Sequence, residues 1–289
     1  MNAQNYRTTF LASIALLAFA GNSVLCRLAL IDNSIDPLSF TAVRLTSGAL
    51  ILLLLVFSRS ASAGKTAISN ETGSWYAAIM LFAYAVLFSW AYVSMDTATG
   101  ALILFASVQI TMVLMSLIKG NRLSLGEWLG LLVSAFGFIY LVAPEVQKPS
   151  MSGFVMMMFS GVAWAAYTIK GQAAQDALRV TAFNFLRTIP LLLVLLIVML
   201  GQPTITSRGV LLAVASGAIT SGLGYAVWYA ALQHLATTNA AVIQLLVPIL
   251  AAIGGLSLAG EALSMRLVVS ALLVLGGILL VVKSKHIKS

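Results

Sequence analysis

The sequence predicts an all-α integral membrane protein with ten transmembrane helices, arranged as two inverted five-helix repeats. Of its 289 residues, 61% are hydrophobic and 8% are charged, whereas a soluble domain has roughly 45–50% apolar and about 25% charged residues. Apolar stretches recur along the whole chain, and its two halves share a pattern of residues. The composition excludes a soluble domain, a disordered chain and a nucleic-acid-binding protein, despite a net charge of +8.

Ten apolar stretches are long enough to cross a bilayer, which takes about 20 mainly apolar residues per helix. We predict spans over residues 8–30, 37–57, 75–95, 99–118, 125–143, 151–174, 180–200, 208–232, 237–258 and 265–282. These stretches are too long for the ~10-residue strands of a membrane β-barrel. The first stretch contains Asn22 and Arg27 and has no small-residue cleavage end, so we interpret it as a helix rather than a signal peptide.

The basic residues outside the spans predict the orientation. With the amino terminus in the cytoplasm, nine of them face the cytoplasm, which agrees with the positive-inside rule. The cytoplasmic set is Arg7, Arg59, Lys65, Lys119, Arg122, Arg179, Lys283, Lys285 and Lys288, and the opposite set is Lys148, Arg208 and Arg266. Ten crossings return the chain to its starting side, so we expect a multi-pass protein of the cell inner membrane with both termini in the cytoplasm.

Matching residues in the two halves predict an internal repeat. Arg27 and Lys170 are 143 residues apart, as are Arg44 and Arg187, while the segments 120–124 and 260–264 match at an offset of 140. We therefore divide the chain into a first repeat over 1–143, a linker over 144–150 and a second repeat over 151–289. Because each repeat has five spans, an odd number, the second copy is expected to be inverted. Inverted repeats are common in secondary transporters, whose substrate site lies where the copies meet.

Motifs in the second half resemble a known family. The segment from Leu245-Leu246-Val247-Pro248 to Gly260-Glu261-Ala262-Leu263-Ser264 is similar to the EamA-type proteins of the drug/metabolite transporter superfamily. The first half departs from that pattern, since Val108 and Asn121 stand in the places of the proline and the glutamate. Within the superfamily the chain most resembles the YddG-type aromatic amino-acid exporters. The resemblance implies export of aromatic and other large neutral amino acids, or similar small metabolites, by alternating access.

Polar and aromatic side chains at one-face helical spacing predict a central cavity with flat apolar walls and a few hydrogen-bonding groups. Such walls suit uncharged or zwitterionic solutes with a bulky side chain. The candidate substrate-binding residues are Asn22, Tyr84, Phe105, Gln109, Trp164, Tyr167, Tyr225, Trp228 and Gln244. The alternative is that the aromatic residues fill helix contacts or an interfacial belt, and that the glutamines cross-link helices.

Pro248 is the candidate hinge. It lacks a backbone N–H and leaves the carbonyl of Gln244 without its helical partner. This position falls near the middle of the ninth predicted span. A static kink is the alternative.

Four basic residues fall inside the spans: Arg27, Arg44, Lys170 and Arg187. We expect them toward helix ends, where long side chains snorkel or bind carboxyl-terminal carbonyls. The alternative is that they form gates or attract a substrate carboxylate at each mouth of the pathway.

The positions of the other ionisable residues restrict the mechanism. All eight acidic residues lie in predicted loops or at span ends, and neither His234 nor His286 is at mid-membrane. A proton-coupled carrier usually keeps such a group in its pathway, so we expect facilitative transport. A protease would need a serine–histidine pair or zinc ligands at depth, so we expect no enzyme activity, no cofactor and no metal. Cys26 is the single cysteine, which excludes an intramolecular disulfide.

Two other functions remain open at this point. Aromatic walls could attract hydrophobic cations or drugs through cation–π contacts, although a carboxylate is missing from the predicted cavity. The chain could also be a channel or a non-transporting scaffold. We expect a monomer that contacts membrane lipid and binds a small-molecule substrate.

Overall fold

A computed structural model of the chain is helical in the membrane-spanning regions that it describes, apart from a turn at Leu245 in the ninth. The described residues are 3–62, 71–118, 120, 123–142, 150–171, 174–198, 203–232, 234–235 and 243–286. They form ten helices, with one isolated β-bridge between the connecting residues Ile35 and Ile205. The predicted linker lies outside the described residues except for Ser150, and so do residues 237–242 of the ninth predicted span.

The ten helices follow the predicted order. They are α1 Ala3–Ile31, α2 Pro37–Ser62, α3 Trp75–Tyr92, α4 Thr97–Ile118, α5 Leu125–Val142, α6 Met151–Gly171, α7 Ala177–Val198, α8 Ser207–Leu232, α9 Leu246–Leu258 and α10 Met265–His286. Seven of them (α1–α4 and α6–α8) are long and apolar enough to cross a membrane, and α5, α9 and α10 contain shorter apolar stretches. This is the architecture of a multi-pass membrane protein.

The second helix of each half, α2 and α7, begins with an aspartate cap of the same kind. The Asp36 carboxylate accepts a hydrogen bond from the backbone N–H of Ser39 in α2 (2.9 Å), and Asp176 caps α7 in the same way (3.1 Å). The two caps are 140 residues apart. They therefore do not support the 143-residue offset that pairs Arg44 with Arg187.

Helix directions follow from contacts at the helix ends. Arg27, near the end of α1, donates a hydrogen bond to the carbonyl of Tyr92 at the end of α3. The start of α6 lies at the same end, because Gly153 packs against Ser94 and Met95. Thus α1 and α6, the first helices of the two halves, run in opposite directions.

The last helices of the two halves, α5 and α10, pack closely against each other. A Cβ placed on Gly130 would lie 2.4 Å from the carbonyl oxygen of Gly277. Nearby, the Ser134 hydroxyl donates to the carbonyl of Val274 (3.1 Å). Small residues at a crossing let two helix backbones approach, as is common in membranes.

Helix α8 changes its winding where it crosses α2. Residues Ala215–Leu223 are π-helical, and a Cβ on Gly217 would lie 2.2 Å from the carbonyl oxygen of Arg44. A larger residue at this position would therefore separate α2 from α8. Short π-helical segments are frequent at functional sites.

The ninth span is interrupted close to its proline. Residues 243–244 are helical, Leu245 is a turn, and Pro248 is the third residue of α9. The interruption follows from the proline, because its ring clashes with the carbonyl four residues earlier, that of Gln244. The sequence predicts Pro248 near the middle of the ninth span, whereas the structure places it near the start of helix α9. Pro190, by contrast, lies inside α7.

Candidate functional site

Seven aromatic side chains from five helices meet in the interior, and we refer to them as the aromatic cluster. Its members are Phe19 of α1, Tyr84 of α3, Phe105 of α4, Trp164 and Tyr167 of α6, and Tyr225 and Trp228 of α8. All seven are buried. The structure thus places six of the candidate binding residues together around Phe19, which lies one helical turn before Asn22 in α1.

Trp164 and Phe19 hold the aromatic cluster together. The Trp164 ring centroid lies 4.8 Å from those of both Tyr84 and Tyr225, in tilted arrangements. Phe19 contacts the rings of Trp228 (5.6 Å) and Tyr225 (5.9 Å) edge-on. These distances and angles are typical of favourable aromatic pairs. Trp164 is 6% exposed, unlike Trp128, which is 51% exposed and fits an interfacial position.

Asn22 connects the aromatic cluster to α8. Its amide nitrogen donates to the Tyr84 hydroxyl (3.2 Å), and its amide oxygen accepts from the hydroxyls of Ser216 (2.6 Å) and Thr220 (3.3 Å). The two hydroxyl residues lie in the π-helical segment of α8. Asn22 therefore has partners for both ends of its amide within the membrane core.

Arg44 lies beside the aromatic cluster and is only 1% exposed. Its Nη2 donates to the Tyr84 hydroxyl (2.9 Å) and its Nε donates to the Ser221 hydroxyl (3.2 Å). The guanidinium carbon is 4.9 Å from the Phe88 ring centroid and 5.1 Å from that of Tyr84. Its Nη1 is buried without a hydrogen-bond partner among the described residues. Arg44 therefore differs from our expectation, because it does not snorkel toward a helix end.

Gln109 and Gln244 are both buried and both interact with other residues. Gln109 lies in α4, in the same helix as Phe105. Gln244 comes immediately before the turn at Leu245 that precedes α9. The two glutamines are thus interior residues, and their role in substrate binding stays a prediction.

Arg27 is held at a helix end by charges and carbonyls. Its Nε is 3.0 Å from a carboxylate oxygen of Glu261, and its Nη2 is 3.4 Å from Asp96. Nη1 donates to the carbonyl oxygen of Tyr92 at the end of α3 (3.0 Å). Glu261 also accepts the backbone N–H of Thr97 at the start of α4 (2.9 Å). This network joins α1 to the α3–α4 and α9–α10 connections.

Lys170 and Arg187 lie at the opposite end of the molecule. Lys170 is exposed and lines a polar pocket of about 280 Å³ together with Glu71 and Asn184. Arg187 donates to the carbonyl oxygens of Thr72 and Phe183. Three of the four in-span basic residues are therefore at helix ends or bound to carbonyls, and Arg44 is the exception.

Two polar residues of the site, Ser216 and Thr220, were missed by the sequence reasoning. Both belong to the π-helical segment, whose altered winding no 3.6-residue pattern describes. The depth of Arg44 could not be inferred from its charge, which more often marks a helix end.

The described carboxylates and pockets lie away from the aromatic cluster. Glu127 caps α5 in its first turn, and the other described acidic residues lie between helices. Three pockets lined by described residues have volumes of about 560, 400 and 280 Å³, and none of these three is lined by the aromatic cluster. The rings of the aromatic cluster are buried and contact one another.

Comparison with known proteins identifies the family. The sequence profile of the EamA-like transporter family matches residues 7–143 and 151–283. An uncharacterized protein of Pseudomonas aeruginosa is 46% identical over 275 residues, which cover 95% of this chain and 94% of that protein. A probable amino-acid metabolite efflux pump of Salmonella typhimurium is 25% identical over 210 residues, covering 68% of this chain and 70% of that protein.

A solved structure has the same fold. It superimposes with a TM-score of 0.66 at 18% sequence identity, covering 95% of this chain and 96% of the other. Together, the family profile, the apolar helices and the shared fold show a membrane transporter. The chain belongs to the EamA-like transporter family.

Proposed function

We propose that this transporter exports aromatic and other large neutral amino acids, or similar small metabolites, by facilitative alternating access. The observation that carries the proposal is the aromatic cluster, in which seven buried rings from five helices meet in the core. Flat apolar walls with a few polar groups suit a bulky apolar side chain. The Salmonella relative, a probable amino-acid metabolite efflux pump, points to the same substrate class.

Alternating access rests on two inverted repeats, which we place at 1–143 and 151–289 with a linker at 144–150. The opposite directions of α1 and α6, the paired helices α5 and α10, and the 140-residue spacing of the caps support this division. The family profile also matches the chain twice. Exchange between two related half-structures would open the aromatic cluster first to one side of the membrane and then to the other.

We place the protein in the inner membrane as a monomer, with both termini in the cytoplasm. The positions of the loop lysines and arginines support this orientation. The interruption before α9 supports Pro248 as the hinge of the cycle. The absence of carboxylates from the aromatic cluster, among the residues that the structure describes, supports a facilitator over a proton-coupled carrier.

Counterflow in proteoliposomes tests the substrate and the mechanism. We expect saturable uptake of radiolabelled phenylalanine and leucine that is stimulated by unlabelled amino acid inside the vesicles. An imposed pH gradient should not drive accumulation. Flux that stays linear with concentration would indicate a channel, accumulation driven by the pH gradient would indicate proton coupling, and transport restricted to hydrophobic cations would replace the substrate class.

Two tryptophan variants connect the flux to the aromatic cluster. Trp164→Ala should abolish counterflow of phenylalanine, because Trp164 contacts Phe19, Tyr84, Tyr167 and Tyr225. Trp128→Ala, an exposed residue of α5, is the matched control and should keep it. Normal counterflow in a folded Trp164→Ala protein would remove the aromatic cluster from the pathway.

A further inference from the structure

Arg44 is a buried charge for which the protein supplies no opposite charge among its described residues. Its side chain donates hydrogen bonds to the hydroxyls of Tyr84 and Ser221, and its guanidinium lies over the rings of Tyr84 and Phe88. Hydroxyls and rings only partly replace the water that a guanidinium loses on burial. The position therefore favours an anion over a neutral group.

The described acidic side chains are all engaged elsewhere. Each one caps a helix, accepts backbone N–H groups or pairs with another arginine. They are Asp32, Asp36, Glu71, Asp96, Glu127, Asp176 and Glu261. The eighth, Glu145, falls in the predicted linker and lies outside the described residues. An anion for Arg44 would therefore come from outside the described chain.

Two unsatisfied hydrogen-bonding atoms lie in the same region. Arg44 Nη1 and the Tyr225 hydroxyl are both buried without a hydrogen-bond partner among the described residues. Tyr225 follows Ser221, which binds Arg44 Nε, by about one turn of α8. Buried polar atoms are rarely left unpaired, so such atoms call for an explanation such as a ligand that is not present. Both atoms can donate to an oxygen.

We propose that Arg44 and Tyr225 bind the carboxylate of an organic solute whose flat apolar part lies among the rings of Trp164 and Phe19. A carboxylate has two oxygens, which match a guanidinium N–H and a phenolic O–H as donors. Trp164 and Phe19 both contact Tyr225, at 4.8 and 5.9 Å between ring centroids, so an apolar group joined to the carboxylate would meet them. The inference rests on the proposed function for its aromatic substrate class, but it specifies which part of the solute is recognised.

The rings of the aromatic cluster are buried and contact one another in this structure, so a solute that lies among them requires them to separate. Arg44 donates to Ser221 of α8, and Asn22 accepts from Ser216 and Thr220 of α8. Movement of α8 relative to α1 and α2 would therefore break these hydrogen bonds and leave guanidinium N–H groups for a ligand. The π-helical segment of α8 lies at this contact and is the place where such a movement would act.

Binding of three matched probes to the purified full chain tests the inference. The probes are L-phenylalanine, L-phenylalaninamide, which lacks the carboxylate, and 3-phenylpropionate, which lacks the ammonium group. We expect the two carboxylates to compete with radiolabelled phenylalanine and the amide to compete at least tenfold more weakly. Arg44→Gln should weaken both carboxylates by at least tenfold and leave the amide unchanged. Arg208→Gln, an exposed residue outside the aromatic cluster, is the control and should bind all three as the wild type does.

Each outcome decides the inference. It is overturned if the amide binds the wild type as well as the acid does, if no probe binds, or if Arg44→Gln binds both carboxylates with unchanged affinity. If 3-phenylpropionate binds and no amino acid is transported, the carboxylate site stands and the proposed function fails. If Arg44→Gln does not fold, Tyr225→Phe takes its place. The loss of one hydroxyl should then weaken the carboxylates several-fold without affecting the amide, and equal affinity for the acids would overturn the inference.

Discussion

Arg27 and Arg44 are neighbouring basic residues in the first half of the chain, and the protein treats their charges in opposite ways. Arg27, whose side chain is 11% exposed, pairs with Glu261, which is 7% exposed, and with Asp96. Arg44 is more deeply buried, yet its contacts are hydroxyls and rings. The protein therefore neutralises the charge at the helix end and leaves the charge at the centre without a carboxylate partner among the described residues.

Burial energetics explain why this difference is informative. Removing one partner of a buried ion pair costs roughly 3–5 kcal/mol, because the other charge stays buried without compensation. Substitution of Arg27 would leave Glu261 in that state, whereas substitution of Arg44 would leave no described carboxylate uncompensated. A central arginine that adds no stability would be explained by a function, here ligand binding.

The largest expected effect is a difference in stability when each of the two arginines is replaced by methionine. Arg27→Met should lower the free energy of unfolding by about 3 kcal/mol, because Glu261 then remains buried without its cation. Arg44→Met should change it by less than about 1 kcal/mol, because no carboxylate loses its partner. Thermal unfolding of the detergent-purified proteins, with expression monitored, measures both. Equal losses would break the comparison and make Arg44 a structural residue.

A second test concerns the crossing of α2 and α8, which positions Arg44. Gly217→Ala would place a Cβ 2.2 Å from the carbonyl oxygen of Arg44, so the two helices must separate. We expect a loss of about 1–3 kcal/mol in the free energy of unfolding, as for other overpacked sites, and a reduced flux of phenylalanine.

Gly276→Ala is the matched control for this crossing. A Cβ at Gly276 in α10 meets nothing within 4 Å, so stability should stay the same or rise slightly, since alanine favours a helix over glycine. If the two alanine variants behave alike, the close approach of α2 and α8 does not determine the position of Arg44.

The sequence was informative about the fold and less informative about the site. Apolar stretches predicted the order and positions of the ten helices, because membrane insertion depends on apolar length. One-face spacing identified Tyr84, Trp164 and Tyr225, which the structure places in one cluster. In contrast, the burial of Arg44 depends on the π-helical winding of α8 and on its tertiary contact with Ser221. Neither property follows from local periodicity.

The Arg27 network itself provides the third test. Glu261→Gln removes the carboxylate that is 3.0 Å from Arg27, whereas Asp96 and the carbonyl of Tyr92 still contact the guanidinium. Because these partners remain, we expect a loss of about 1–2 kcal/mol, below that of a fully broken buried pair. Denaturant unfolding in detergent measures the change.

An exposed ion pair serves as the control for Glu261. Asp32→Asn breaks the pair with Arg208, whose side chains are 52% and 61% exposed, and surface pairs contribute at most about 1 kcal/mol. A loss for Asp32→Asn as large as that for Glu261→Gln would mean that burial does not separate the two pairs.

The smallest expected effect on stability concerns Pro248. This proline lies near the start of α9, the helix that leads to the Arg27 network. The turn at Leu245 precedes α9, and α9 leads into the connection that carries Glu261. Pro248→Ala restores a backbone N–H and removes the clash with the Gln244 carbonyl, so the helix can continue through Leu245. If this break lets α9 move when the aromatic cluster opens, the variant should fold with nearly unchanged stability but show a several-fold lower maximal counterflow rate.

Pro190→Ala, at the proline inside α7, is the control and should leave the rate unchanged. Equal rates in Pro248→Ala and the wild type would show that the break before α9 is static and is not a hinge of the transport cycle.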